Sequence, residues 1–196
     1  MIKNYFKHYL TKFEKKYILK LLYNFFLKIV WVCIEISSPF SYKLKNFIVG
    51  RKATMKYIKN NKTLGPNVIW FHCSSLGEYE QSIPLIKKLK EKKCNYKIAL
   101  TFFSSSAFVN KLENHLCDWS GYLPFENSNK IDELTNFINP KLVILIKNEF
   151  WPNLLGILNK KSIPVISVSS RFNNKNFFFK PWASWFFKKI KTIKYF

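Results

Sequence analysis

The sequence predicts an α/β domain, a Rossmann-like parallel sheet with helices on both faces, preceded by a basic and apolar N-terminal helix. Three observations predict it. Short continuous apolar runs alternate with helix-like stretches from residue 68 to the end of the 196-residue chain. Those runs lack the in-out alternation of a sheet with one wet face, so both faces must be covered. The composition, 48% hydrophobic and 18% aromatic, supplies a core and excludes a disordered chain.

Taken in order, residues 17–36 read YILKLLYNFFLKIVWVCIEI. At about 100° per residue, Lys20, Asn24, Lys28 and Glu35 share one narrow stripe on an otherwise apolar helix. The uncharged stretches are far shorter than the ~20 residues of a clean membrane span. Lysines flank both sides, so no charge asymmetry orients a span. The segment is expected to lie in or against a membrane surface; a tilted span and a helix buried on its own domain are the other placements. Residues 1–60 form this membrane-associating segment, and residues 61–196 the main domain. Pro39 and NNKTLGPN at 60–67 mark the passage between them.

Strands are expected at VIWFH (68–72), KIALTFF (97–103), GYLPF (121–125), KLVILIK (141–147) and IPVISVS (163–169). Helices are expected over 78–92, after the cap-like Ser104, Ser105 and Ser106, from Ser128 to Ile138, from Trp151 to Lys160 with Pro152 in its first turn, and over 178–190. The final TIKYF reads as the start of a further strand, so the chain is expected to be a fragment or truncated product.

Charge narrows the partners. Lysine and arginine number 33 against 11 acids, a formal +22. Part of this excess of lysine is attributable to codon bias. Residues 1–60 carry 12 lysines and Arg51 against Glu14 and Glu35, half of the net charge in under a third of the chain. Charge interleaved with apolar residues points to an anionic membrane surface before nucleic acid. A basic nucleic-acid-binding domain is the weaker alternative. The four cysteines, at 33, 73, 94 and 117, form no CxxC pair, and the three histidines have no ligand spacing, which gives neither a disulfide framework nor a zinc pattern.

In an open parallel sheet the working loops follow the carboxyl ends of the strands. The first is HCSSLGEYE (72–80), which has no GxGxxG and no P-loop. Glu78 stands in the first turn of the following helix. There it can simply complement the helix dipole, or it can accept a proton from a substrate hydroxyl. The second is KNEFWPN (147–153), where Lys147, Asn148 and Glu149 close an apolar strand, either as a solvated lip or as a ligand site. The third is SSRF (169–172). Arg171 is one of two arginines in a lysine-rich chain, and its planar fork suits a carboxylate or phosphate, or a structural salt bridge.

These segments resemble the Kdo (3-deoxy-D-manno-octulosonic acid) transferase family, lipid A-specific glycosyltransferases of GT-B architecture. The matching pieces are VGRK (49–52), FHCSSLGEYEQSIPLI (71–86), KIALTFFSSS (97–106), YLPFE (122–126), NPKLVILIKNEFWPNLL (139–155) and IPVISVSSRF (163–172), in the family's order and spacing. The resemblance implies the N-terminal, acceptor-side domain of a two-domain enzyme that transfers Kdo from CMP-Kdo to a lipid A precursor with inversion. Glu78 would be the general base. Lys147 would be a transition-state stabiliser, and Ser75, Gly77, Glu149 and Arg171 would bind the acceptor. No metal or other cofactor and no nucleic acid are implied. The expected location is the cytoplasmic face of the inner membrane, held by the N-terminal helix.

Three departures stand out. Many relatives carry a carboxylate where this chain has Lys147. The family's FFSPSG reads FFSSSA here. The donor-binding half, which would hold CMP-Kdo, is expected to be absent, which leaves a non-catalytic membrane-binding remnant as the alternative.

Overall fold

The computed structural model describes residues 2–92, 95–104, 116–173, 180 and 183–196, with side chains from residue 18 onward. Two helices come first, α1 (Ile2–Ser37) and α2 (Tyr42–Asn60), joined by a 3-10 turn over Ser38–Phe40. Then follow β1 (Val68–Cys73), α3 (Leu76–Glu91), β2 (Lys97–Phe102), β3 (Trp119–Tyr122) and α4 (Ser128–Ile138). The chain continues with β4 (Pro140–Ile146), α5 (Pro152–Lys160), β5 (Val165–Val168) and α6 (Ser184–Ile190).

The five strands form one parallel sheet in the order β3-β2-β1-β4-β5. The expected Rossmann-like sheet is therefore present, and β1 at its centre is buried along its whole length. Alternate side chains of β1 feed two cores. Val68 and Trp70 join Met55 and Ile58 of α2, Leu134 of α4, Leu154 of α5 and Phe186 of α6. Ile69, Phe71 and Cys73 face the other way, onto Tyr79 and Ile86 of α3. Helices on both faces explain why no strand shows a polar side.

Several boundaries moved for local reasons. The third strand is Trp119–Tyr122, not 121–125, because Pro124 lacks the amide a ladder needs. The helix expected to be capped by Ser128 is capped by Asn127, whose Oδ1 accepts from the Lys130 amide. It ends at Asn139 in the left-handed region, φ 49°. The final TIKYF makes an isolated bridge, Ile166 with Tyr195, parallel to β5. Ser105, Ser106 and the helix expected after them lie outside the described residues, as do most of 174–182.

α1 has two apolar faces. Leu19 and Tyr23 pack against the core, with Leu27, Val30 and Ile34 part-buried on the same side. Leu22, Phe25, Phe26, Ile29, Val32 and Ile36 are exposed on the opposite side. The polar stripe of Lys20, Asn24 and Lys28 runs along a flank between them. Among the described residues no helix is long and apolar enough to cross a membrane.

The inner face of α1 is fastened by a buried carboxylate. Glu126, in the left-handed region at φ 42°, accepts from the Asn153 and Leu154 amides, which are free donors at the N-terminus of α5. It also accepts from Tyr23 Oη of α1 at 3.1 Å. Asn153 Nδ2 reaches Asn24 Oδ1 on the same helix. Burial pushes the Glu126 carboxyl up to about 7 against the pull of those donors and of Lys189. The α2 helix is fixed by close approach: a Cβ on Gly50 would lie 2.2 Å from the Tyr122 ring.

The fastening predicts an order of costs in thermal denaturation. Tyr23→Phe removes one hydrogen bond and should cost about 1 kcal/mol. Glu126→Ala leaves the α5 amides without acceptors and should cost about 2–3 kcal/mol, a drop of roughly 4–12 °C in midpoint. Equal losses for the two variants would remove Glu126 as the fastening group.

Candidate functional site

Strand order reverses between β1 and β4. After β1 the chain moves outward through β2 and β3, then crosses back to lay β4 on the other side of β1. The carboxyl ends of these two neighbours open a crevice, the usual ligand position in open α/β sheets. The loop after β1 carries Glu78, and the loop after β4 carries Lys147 and Glu149.

Glu78 is the third residue of α3 and is buried, its side chain 10% exposed. Oε2 accepts from the amides of Ser74 and Ser75, so this oxygen closes the turn from strand into helix. Oε1 faces the crevice, 3.9 Å from Lys147 Nζ. One carboxylate thus has a structural oxygen and an oxygen turned to the site.

Lys147 directly follows β4 in the left-handed region, φ 61°, an uncommon backbone for a side chain with a Cβ. Three bonds hold it there. Its amide donates to Val168 O, and its carbonyl accepts from Ser167 Oγ of β5 and Ser170 Oγ of the loop after it. The Lys147 side chain is 44% exposed at the crevice mouth.

Glu149 lies deeper. Trp151 Nε1 donates to its Oε2 at 2.9 Å, and the same oxygen is 3.8 Å from His72 Nε2. Burial lifts the Glu149 carboxyl to about 7; the charge of Glu78 adds to this, while hydrogen bonds from Trp151 and Ser74 and the charge of Lys147 oppose it. His72 is fully buried under the crevice floor, and burial lowers it to about 3, so it is neutral. Its Nδ1 meets the carbonyl and hydroxyl of Thr101, the latter also accepting from Trp70 Nε1.

The expected site residues are thus placed as follows. Glu78, Lys147 and Glu149 converge. Ser75 supplies a backbone amide to Glu78. Gly77 is exposed, and a Cβ built on it would meet nothing within 4 Å, so the rim in front of the α3 N-terminus is open. Arg171 joins through its backbone, its amide and carbonyl clamped by Asn148 Oδ1 and Nδ2 at 2.9 and 2.7 Å, while the residue as a whole is exposed. His72, Ser74 and Trp151 were not singled out by sequence. Only their place in the strand-end loops could have flagged them. Among the described residues no group of three His, Cys, Asp or Glu could hold a metal ion.

Comparison with known proteins gives the context for this geometry. Residues 49–194 match the family model described as 3-deoxy-D-manno-octulosonic-acid transferase (kdotransferase). A probable mitochondrial 3-deoxy-D-manno-octulosonic acid transferase of Arabidopsis thaliana is 33% identical over 119 residues, 60% of this chain and 26% of that protein. The 3-deoxy-D-manno-octulosonic acid transferase of Aquifex aeolicus is 32% identical, over 52% of this chain and 28% of its own length. A bifunctional glycosyltransferase/methyltransferase of Fusobacterium nucleatum is 31% identical, over 56% of this chain and 17% of that protein. The matches therefore span about a quarter or less of these relatives. The family model covers well over half of the chain, from α2 through the strand-end loops that hold Glu78, Lys147 and Arg171, and the chain belongs to the 3-deoxy-D-manno-octulosonic-acid transferase family.

Proposed function

We propose that this chain is the acceptor side of a Kdo transferase that moves Kdo from CMP-Kdo to a lipid A precursor at the cytoplasmic face of the inner membrane. The observation that carries the reading is the divided role of Glu78: Oε2 is consumed by the helix cap, and Oε1 is presented to the crevice beside Lys147. Family membership supplies the reaction class. CMP-Kdo would be held by a second domain, in keeping with the length of the relatives.

In the proposed step an acceptor hydroxyl enters the crevice and gives its proton to Glu78 Oε1. The oxygen bonds to the anomeric carbon of Kdo as the bond to the CMP phosphate breaks on the opposite face, which inverts the centre. Because Oε2 is pinned by two amides, the base has one orientation and pays little entropy to reach it. Lys147 steadies negative charge at the mouth, on the leaving phosphate or on an acceptor phosphate. Glu149, held by Trp151 and lifted toward neutral pH, can keep a proton and so place a hydrogen-bond donor rather than a second negative charge beside the base. The outward apolar face of α1, with lysines on its flank, supports placement on an anionic leaflet.

The test uses the chain together with its donor-side half, with CMP-Kdo and lipid acceptor. Glu78→Gln keeps the cap acceptor but cannot take a proton, and kcat should fall by about 100-fold or more with KM for acceptor little changed. A fall of less than threefold would remove Glu78 as the base. Lys147→Ala should cost about tenfold, below the ~100–1,000-fold of enclosed donors, because its side chain is 44% exposed.

The raised Glu149 carboxyl also has a consequence for stability. A group protonated more readily in the folded state contributes stability that is present below its ordinary value and lost as pH rises through about 7. The thermal midpoint should therefore fall between about pH 5 and about pH 8; Glu126, raised to about 7 as well, contributes to the same fall, so Glu149→Gln should lessen it without removing it. An unchanged slope in the variant would place the titration elsewhere.

A further inference from the structure

A groove of about 550 Å³ runs along the free edge of the sheet, away from the crevice, between α2 and β3. Its walls are Tyr42, Val49, Ala53 and Tyr57 on α2, and Trp119 and Tyr122 on β3. The volume is within the ~300–1,000 Å³ of small-molecule sites. The lining is mostly apolar, with Asn46, Thr54 and Ser120 as its polar members, and it opens to solvent. Nothing in the proposed sugar transfer uses it.

Among the described residues the α2 side of the groove carries charge of one sign. Residues 42, 46, 49, 53 and 57 fall at helical spacing on one stripe of α2, and Lys45, Lys52 and Lys56 form the next stripe, exposed along the groove's outer lip. α2 carries no acid anywhere in its 19 residues. Asp118, next to the β3 wall, has its carboxylate on the Ile98 amide. At one end the groove meets the outward apolar surface of the α1–α2 corner, where Ile36, Phe40 and Tyr42 are 67%, 89% and 81% exposed.

A row of lysines over an apolar slot, entered from an exposed apolar corner, is complementary to a single hydrocarbon chain with an anionic head. We propose that this groove takes one acyl chain of an anionic membrane lipid, with its phosphate on Lys45, Lys52 and Lys56. An added peptide strand fits less well. The Tyr122 amide is already taken by Thr54 Oγ1, and Gly50 brings α2 onto the Tyr122 ring, so α2 blocks that end of the free edge. The groove would hold the sheet edge down on the leaflet while α1 lies beside it. It would thereby set the tilt of the domain, and with it the height of the Glu78 crevice above the bilayer. This site rests on the membrane placement proposed above but not on the catalytic assignment.

The experiment uses the full chain with vesicles of phosphatidylglycerol or of phosphatidylcholine, each doped with a diazirine-bearing phospholipid of the same headgroup. After irradiation the adducts are mapped by mass spectrometry. Adducts are expected on residues 49–57 and on Trp119 from phosphatidylglycerol, and roughly tenfold fewer from phosphatidylcholine. Ala53→Phe fills the slot and should abolish the groove adducts while the protein still sediments with phosphatidylglycerol vesicles. The Lys52→Glu, Lys56→Glu double variant should lower them about tenfold. Circular dichroism checks both variants for folding, and the wild-type map stands without them. Adducts confined to α1, equal yields from the two lipids, or protection of Trp119 by a single-stranded oligonucleotide would overturn the groove. Failure to sediment with anionic vesicles at all would overturn the membrane placement itself. Sedimentation with adducts on α1 alone would overturn only the groove.

Discussion

The arrangement depends on the pairing of β1 with β4. These two parallel strands are remote in sequence and adjacent at the centre of the sheet, in register from Ile69 with Leu142 to His72 with Leu145. That register carries both chains to the same height at their carboxyl ends. Glu78 and Lys147, 69 positions apart, then meet across a gap the size of an ion pair. A slip of one residue would turn His72 and Leu145 to the opposite core and separate the two loops. On the other side of β1 the buried Trp70–Thr101–His72 cluster fixes the register with β2, because its hydrogen bonds across β1 and β2 are made away from water in one register only.

The same residue serves the fold and the site. A carboxylate at the third position of a helix is a routine cap, and for Glu78 the capping role is visible in the bonds to Ser74 and Ser75. The cap also gives what the proposed base role needs, a fixed rotamer and a single outward oxygen. Stability and reactivity are therefore not competing readings of Glu78. The cost falls on its neighbours: Glu149 is lifted partly by the charge of Glu78, and Lys147 adopts a left-handed backbone secured by Ser167 of β5 and Ser170 just after it.

The parallel sheet was legible in the sequence because its strands are short apolar runs ended by polar loops, and KLVILIK and KIALTFF could be placed within a residue or two. Glu78, Lys147 and Glu149 were legible for the same reason: each sits where a strand stops. What escaped was long-range. His72 reads as one more strand residue until burial and the Thr101 bonds show it beneath Glu149. Glu126 lay inside the YLPFE motif, yet its link to Tyr23 spans 103 positions and no local pattern encodes it. The sequence also singled out Arg171 because arginine is rare here. The other arginine has the more demanding environment. Arg51 is 4% exposed, with its guanidinium carbon 3.4 Å from the centre of the Phe47 ring, and donates to the carbonyls of Phe47 and Phe103. Burial holds it down to about 9. A lysine starts lower and holds its charge less firmly under the same penalty, and it lacks the planar fork that reaches both carbonyls.

Arg51 also connects the first two helices to the chemistry. Phe103, which it holds at the end of β2, stacks on Trp151 at 4.8 Å, and Trp151 in turn holds Glu149. Phe47 and Phe103 both contact Phe125, and Trp31 of α1 packs on Phe47 and Phe125. A continuous aromatic layer thus joins the inner face of α1 to the crevice, while the outer face of α1 is apolar and uncovered in the described residues. Packed rings transmit displacement because a close-packed interior has little free volume to absorb it. Whatever surface receives the outer face of α1 therefore bears, through Trp31, Phe103 and Trp151, on the position of Glu149 beside Glu78, the proposed base.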